Sequence, residues 1–185
     1  MNYYGTTVYR NNATELISQD LKRVTKNNPQ DYVFLCIGVS KVVSDGLGPK
    51  VGSLLKKSHA ELLVYGTEDF NVNASNLSRA IEFIRKVHPD KKLVVVDSAV
   101  GDATEVGCVQ ILTQGIAPGA ATNKTLPKVG DLSLIGVVSM RGAKNFYQSD
   151  PDRVALVDKL ASVLAESVEK TFFKNVEICN IEDIG

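Results

Sequence analysis

Two aspartates follow apolar segments that have the composition of buried strands. Asp45 lies in a short loop between the apolar residues 33–37 and a helical pattern that begins at Leu47. Asp97 directly follows a second apolar run, residues 93–96, and is predicted to end that strand. Because open α/β sheets bind their ligands at the carboxyl ends of strands, both side chains are candidates for chemistry.

Two carboxyl groups brought close together cannot both ionise cheaply, so they share one proton. The ionised member can activate a water molecule, and the protonated member can donate to a carbonyl oxygen and later to a leaving amine. This is hydrolysis of an amide without a metal or a nucleophilic side chain. The competing interpretation is structural, because Ser44 or Asp45 could simply cap the helix that follows.

Metal binding is a second alternative, since two carboxylates and a histidine could hold a divalent ion. The chain has two histidines, His59 and His88, and neither falls at a predicted strand end. We expect both to lie at the surface or to cap helices. We therefore predict no metal and no cofactor. The phosphate-binding patterns G-x-G-x-x-G and G-x-x-x-x-G-K-[ST] are absent, which argues against a nucleotide site.

Nucleophilic catalysis has little support in the sequence. No serine sits in a G-x-S-x-G elbow, and Cys36 and Cys108 lie among apolar residues, where cysteine acts as a small hydrophobe. With Cys179 the cysteines number three, without a C-x-x-C pair, so neither a disulfide framework nor a zinc site is indicated. Lys124 and Lys128 could turn towards the carboxylates and favour their ionised forms.

The composition is that of an ordinary globular protein of 185 residues, with 44% apolar and 23% charged residues. Twenty-one basic residues balance 21 acidic ones, which argues against a nucleic-acid-binding protein. No apolar run approaches the roughly 20 residues that span a bilayer, and the first residues lack a secretion-signal pattern. We expect a cytoplasmic protein with no nucleic-acid or membrane partner; the sequence does not predict its oligomeric state.

Periodicity predicts alternating helices and strands, with residues 1–12 irregular. Predicted helices begin near Thr14, Leu47, Asn76 and Pro151, and predicted strands occupy 33–37, 61–65, 93–96, 106–113 and 132–139. The short connection between the third and fourth strands predicts that these two pair antiparallel. The fold class is therefore α/β: a single-domain, three-layer sandwich with a mixed, mostly parallel sheet. We divide residues 1–185 into a helical arm (1–30), a core (31–172) and a tail (173–185).

Several segments together resemble one family. They are Ile37-Gly38, residues 44–52 around Asp-Gly-Leu-Gly-Pro, 64–67, 95–99, 116–119, and 124–134 around Leu-Pro-Lys-Val-Gly-Asp. In order and spacing they resemble the YyaC-type sporulation proteins, which are related to the spore germination protease and more distantly to hydrogenase maturation proteases. The resemblance covers about residues 30–170. It implies a phosphorylase/hydrolase-like fold, as in germination protease, and a cytoplasmic role in the sporulating cell or spore.

The resemblance also implies roles for individual residues. An aspartate in the protease's D-x-L-G-P loop and one at a strand end are its proposed catalytic pair, and they correspond to Asp45 and Asp97. No histidine matches the nickel-binding one of the maturation proteases, and Ala120-Ala121 stands where family members tend to have a second glycine. We expect substrate to be bound by Gly38, Ser44, Gly46, Ser98, Pro118, Gly119 and Lys124.

The main functional hypothesis is a sporulation-associated, aspartate-dependent endopeptidase that uses a paired-carboxylate, metal-free mechanism. Its substrate would be a protein or peptide, with small spore proteins as the first candidates. One alternative is a non-catalytic sporulation factor that binds a peptide or partner in the same cleft. A metal-dependent hydrolase is a further alternative.

Overall fold

A computed structural model describes residues 3–26, 28–117, 128–143 and 150–173. Within these ranges the chain forms six strands, four α-helices and three short 3₁₀ turns, at Pro29–Asp31, Val43–Asp45 and Ala103–Glu105. The longer elements are β1 Tyr3–Thr7, α1 Ala13–Val24, β2 Tyr32–Cys36, α2 Leu47–Ser58, β3 Leu63–Tyr65, α3 Leu77–Val87, β4 Lys92–Gly101, β5 Cys108–Leu112, β6 Leu132–Met140 and α4 Pro151–Phe172.

The six strands form one sheet in the order β1-β5-β6-β4-β2-β3. The pairs β3/β2, β2/β4 and β4/β6 are parallel, whereas β6/β5 and β5/β1 are antiparallel. The predicted fold class is confirmed: an α/β domain whose mixed, mostly parallel sheet is flanked by helices.

Helices cover both faces of the sheet, and β2 shows how the sequence builds the two layers. Its alternate residues Tyr32, Phe34 and Cys36 belong to an apolar cluster shared with α1, α2 and α4. Val33 and Leu35 point the other way, into a second cluster shared with α3. A strand buried on both faces reads as a continuous apolar run, which is why this strand is easily recognised in the sequence.

The order of the parallel strands reverses between β2 and β4. The chain passes from β2 through α2 to β3 on one side, then returns through α3 to β4 on the other side of β2. Such a reversal opens a crevice beyond the carboxyl ends of the two central strands, where doubly wound proteins place their ligands. The loop after β2 and the middle of β4 meet at this switch point.

The antiparallel part of the sheet differs from the sequence-based prediction in two ways. Residues 3–7, predicted to be irregular, form β1, which is held by backbone pairing with β5. The fourth predicted strand, β5, pairs with β6 and β1 instead of β4. A 3₁₀ turn and Gly107, with φ of 85°, redirect the chain so that β6 inserts between β4 and β5.

Strand β4 is longer than predicted, because β6 continues to pair with it. The register runs from Val94 opposite Leu132 to Gly101 opposite Met140, with an irregularity after Ala99. The prediction that Asp97 ends the strand is therefore wrong; it is the sixth residue of β4.

The remaining predictions concern the two ends of the chain. Helix α1 packs against α4, where Lys170 forms an ion pair with Glu15. The predicted tail lies outside the described residues, apart from Phe173. None of the helices in the described ranges is both long enough and apolar enough to cross a membrane.

Candidate active site at the switch point

The loop after β2 begins with a turn that only glycine can make. Gly38 has φ of 146°, and a Cβ added there would lie 1.9 Å from the carbonyl oxygen of Asp45. The N–H of Gly38 donates to the carbonyl of Val72 at 2.8 Å. This backbone group, which we expected to hold substrate, is therefore already used to join the loops after β2 and β3.

Asp45 is held by its own loop. It ends the 3₁₀ turn Val43–Asp45, and its Oδ2 accepts a hydrogen bond of 2.9 Å from the N–H of Val39. The N-cap residue of α2 is Gly46, so neither Ser44 nor Asp45 occupies the cap position. The carboxylate of Asp45 is instead turned back towards the strand end.

Glycines in α2 allow this helix to contact the backbone of the strand ends directly. A Cβ on Gly48 would lie 2.2 Å from the carbonyl oxygen of Ile37, and one on Gly52 would lie 1.9 Å from that of Gly66. The two glycines are four residues apart and therefore share one helix face. The Gly-Leu-Gly-Pro-Lys-Val-Gly pattern thus fixes α2, and the loop before it, at backbone distance from the sheet.

Asp97 is buried just beyond the point where β2 stops. Val96 pairs with Cys36, the last residue of β2, so Asp97 lies beyond the end of β2 on that side, while on the other side it pairs with Ile135 of β6. The side chain is 8% exposed, and its Oδ1 accepts one hydrogen bond of 2.8 Å, from the N–H of Ser98. Burial raises the pKa of Asp97 to about 8, and the charge of Asp45 contributes to the rise. The carboxyl group is therefore protonated at neutral pH.

The two aspartates are close enough to interact electrostatically, although 51 residues lie between them along the chain. Burial also raises the pKa of Asp45, and the hydrogen bond from Val39 partly opposes this rise. Asp45 is only half-buried, so it keeps more contact with solvent than Asp97. Neither carboxyl group forms an ion pair with any residue that the structure describes.

The other predicted substrate-binding residues are distributed unevenly around the pair. Ser44 is fully buried, Gly46 precedes α2, and Ser98 is half-buried beside Asp97. Pro118, Gly119 and Lys124 lie outside the described residues.

Sequence reasoning missed Asn71, which ties the two neighbouring loops together. Its Oδ1 accepts from the N–H and the hydroxyl of Ser40, at 2.9 and 3.1 Å. Its Nδ2 donates to the carbonyl groups of Thr67 and Glu68, at 2.7 and 3.2 Å. The only signal in the sequence was an asparagine in the loop after a strand, a common turn residue, so its partner in the loop after β2 could not be inferred.

The histidines lie apart from this pair. His59 follows the last residue of α2, where its ring stacks on Phe173 at 3.8 Å between centroids. His88 follows α3 and forms a hydrogen bond of 2.9 Å between its Nε2 and the hydroxyl of Tyr65. Both histidines are C-cap residues, which agrees with the expected surface or capping role. In the described part of the chain, no group of three or more His, Cys, Asp or Glu residues is placed to hold a metal ion.

Of the two cysteines that the structure describes, Cys36 fits the prediction of a small buried hydrophobe. Cys36 is fully buried, and burial raises the pKa of its thiol far above the ordinary range, so it is no nucleophile at neutral pH. Cys108 begins β5 and is half-buried rather than enclosed.

The fold and the site define an α/β protein with a pair of acidic side chains at the switch point of a mostly parallel sheet. The chain belongs to the family described as "Protein of unknown function (DUF1256)", whose model matches residues 6–167 and so includes both aspartates. It is also similar to a protein of Bacillus subtilis (strain 168), "Uncharacterized protein YyaC". The two are 37% identical over 140 residues, which cover 75% of this chain and 68% of that protein.

Proposed function

We propose that this protein is an aspartate-dependent peptidase in which Asp97 acts first as the acid and Asp45 as the base. One observation carries the proposal: at the switch point a buried carboxyl group with a pKa of about 8 lies close enough to a second, more exposed carboxylate for the charge of the second to act on the first. Paired carboxyl groups with unlike environments are the usual arrangement for acid–base hydrolysis. The stronger burial of Asp97 assigns it the proton at the start of the reaction.

In the first step a water molecule attacks the carbonyl carbon of the peptide bond. The Asp45 carboxylate removes a proton from this water while the new carbon–oxygen bond forms. The electron pair of the carbonyl double bond moves to its oxygen, which takes the proton of Asp97. The product is a neutral gem-diol, with Asp45 protonated and Asp97 ionised.

In the second step the carbon–nitrogen bond breaks. Asp45 gives its proton to the departing nitrogen, and one hydroxyl of the gem-diol returns a proton to Asp97 as the carbonyl re-forms. The products are a carboxylic acid and an amine, and both aspartates return to their starting states. No metal or covalent intermediate takes part in either step.

The resemblance to the germination protease supports the choice of these two residues and suggests a setting. Its proposed catalytic aspartates correspond to Asp45 and Asp97, and the D-x-L-G-P loop is complete here. We therefore propose a cytoplasmic role in a sporulating cell or spore, with small acid-soluble spore proteins as the first substrates to test.

The direct test is cleavage of purified small acid-soluble spore proteins by wild type, Asp45→Asn and Asp97→Asn. We expect cleavage by wild type alone, with no effect of a chelator. Asp90→Asn is a matched control, since this aspartate is exposed in the turn after α3. Equal cleavage by wild type and both site variants would show that the mechanism is wrong. Binding without cleavage would favour the non-catalytic alternative, and loss of cleavage with chelator the metal-dependent one.

A further inference from the structure

Phe70, in the loop between β3 and α3, is the most exposed large hydrophobic side chain of the described residues. It is 81% exposed, compared with 61% for Tyr9 and 52% for Phe83. Those two rings have neighbours: Tyr9 lies under the ammonium of Lys159, and Phe83 contacts Tyr65. No such ring or cation contact to Phe70 occurs within the described ranges. An aromatic side chain left in water contributes nothing to the apolar core.

The loop presents Phe70 on a closed turn. The N–H of Thr67 donates to the carbonyl of Phe70 at 3.0 Å, and the N–H of Phe70 donates to the hydroxyl of Thr67 at 3.2 Å. The next residue, Asn71, holds Thr67 by a side-chain hydrogen bond. Because the backbone is already ordered, a ligand that contacts this ring does not have to order the loop first.

The same turn is fixed to the loop that carries Asp45. The hydroxyl of Ser40 donates to the carbonyl of Glu68 at 3.2 Å, and its N–H donates to Asn71. The residue before Ser40 is Val39, whose N–H donates to the carboxylate of Asp45. Consecutive hydrogen bonds between the two neighbouring loops therefore fix the position of the Phe70 turn relative to Asp45.

We infer that Phe70 contacts an apolar side chain of the substrate, and that the substrate class is an unfolded or flexible polypeptide segment. This inference rests on the proposed function, since it takes the loop that carries Asp45, to which the turn of Phe70 is hydrogen-bonded, as part of a peptide-cleaving site. Folded proteins bury most of their large apolar side chains, so an extended segment is the form that offers one to a loop tip. An aromatic ring with few rotatable bonds binds such a side chain at small entropic cost.

The experiment uses reduced, carboxymethylated α-lactalbumin, an unfolded polypeptide that contains tryptophan. The present chain has no tryptophan, so the emission of this probe reports binding without background. Binding is titrated with the Asp97→Asn variant, so that the probe stays intact. Adding Phe70→Ala should weaken the affinity about tenfold, and Phe70→Leu should weaken it less. Adding Phe83→Ala, an exposed phenylalanine on α3, should leave the affinity unchanged.

The outcomes separate this inference from the proposed function. If Asp97→Asn binds the probe equally well with and without Phe70, or does not bind it at all, the inference is wrong. If binding depends on Phe70 but wild type never cuts the probe or the spore proteins, the peptidase proposal fails and the binding role stands. If wild type does cut, Phe70→Ala should raise KM and leave kcat unchanged, which a general loss of folding would not do.

Discussion

The aspartates at the two ends of the parallel strands differ in how far they are buried. At the amino end, Asp131 is exposed; its Oδ2 accepts from the N–H of Leu93 at 2.8 Å, and its own N–H donates to the carbonyl of Leu93 at 2.8 Å. At the carboxyl end of β2, Asp97 also accepts one backbone N–H, but its side chain is almost completely buried.

The difference shows that hydrogen bonding alone does not distinguish a structural carboxylate from a candidate catalytic one. Both side chains accept one backbone N–H, yet Asp131 is exposed to solvent. Asp97 is buried, and its pKa is raised to about 8. Ionisation of Asp97 costs folding free energy, which suits a proton donor and not a stabilising link.

The largest expected effect is on catalysis. Asp45→Asn and Asp97→Asn should each lower kcat/KM on spore proteins by about 10²- to 10⁴-fold, since each removes a proton-transfer group. Asp131→Asn should stay within about threefold of wild type. Circular dichroism melts would show that all three variants are folded. A comparable loss in Asp131→Asn would erase the functional difference between the two ends.

The next largest effect is on the pH dependence of stability. The pKa of Asp97 is about 8 in the folded protein and ordinary in the unfolded chain, so the native state loses stability as pH rises from about 4 to 8. Each pH unit in this window costs about 1.4 kcal/mol. Asp97→Asn cannot ionise, so its unfolding free energy relative to wild type should rise by about 5 kcal/mol between pH 4 and pH 8. Urea titrations across this range would check it, and a difference independent of pH would contradict the assignment.

Close packing at the carboxyl end predicts a smaller effect. Gly52→Ala should destabilise the protein by about 2–3 kcal/mol, because the new methyl group collides with the carbonyl of Gly66, a backbone atom that cannot rotate away. Gly142→Ala is the control: nothing lies within 4 Å, and only its φ of 78° opposes the change, at about 1 kcal/mol. Chemical denaturation measures both, and equal losses would show that α2 can move away from the sheet.

Asn71→Ala should cost about 2 kcal/mol, because the N–H and the hydroxyl of Ser40 lose their acceptor and the carbonyl of Thr67 loses a donor. It should also lower kcat on spore proteins by up to about tenfold, because the Asp45 loop loses its support. Ser75→Ala is the control, because this hydroxyl lies in the same loop and donates to Asn73 rather than to the Asp45 loop, and we expect little change in kcat. An unchanged kcat in Asn71→Ala would mean that the Asp45 loop holds its shape alone.

The smallest effect is expected at the amino end. Asp131→Ala should reduce stability by about 1 kcal/mol through loss of the hydrogen bond from Leu93, since the site is exposed and water replaces the acceptor. Differential scanning calorimetry would detect this loss. A loss well above about 1 kcal/mol would show that water does not replace this acceptor.

The sequence was informative wherever a local pattern determined the outcome. Continuous apolar runs identified β2, and the glycine-rich segment after it located α2 and Asp45. Pairing partners are set by contacts far along the chain, so β1 and the neighbours of β5 could not be inferred. The same limit applies to Asp97, because only β6 reveals that β4 continues past it. Asn71 was missed because its partner Ser40 is 31 residues away.

Gly48 and Gly52 position α2 by close approach to backbone atoms of the strand ends, and not through the packing of core side chains alone. Both glycines meet main-chain oxygens, whose positions do not depend on which apolar side chains fill the layer beneath α2. Substitutions such as leucine for isoleucine elsewhere under this helix can therefore accumulate without changing the height of the Asp45 loop above the strand ends. A lineage of such proteins can exchange much of its interior while the spacing between its two aspartates is preserved.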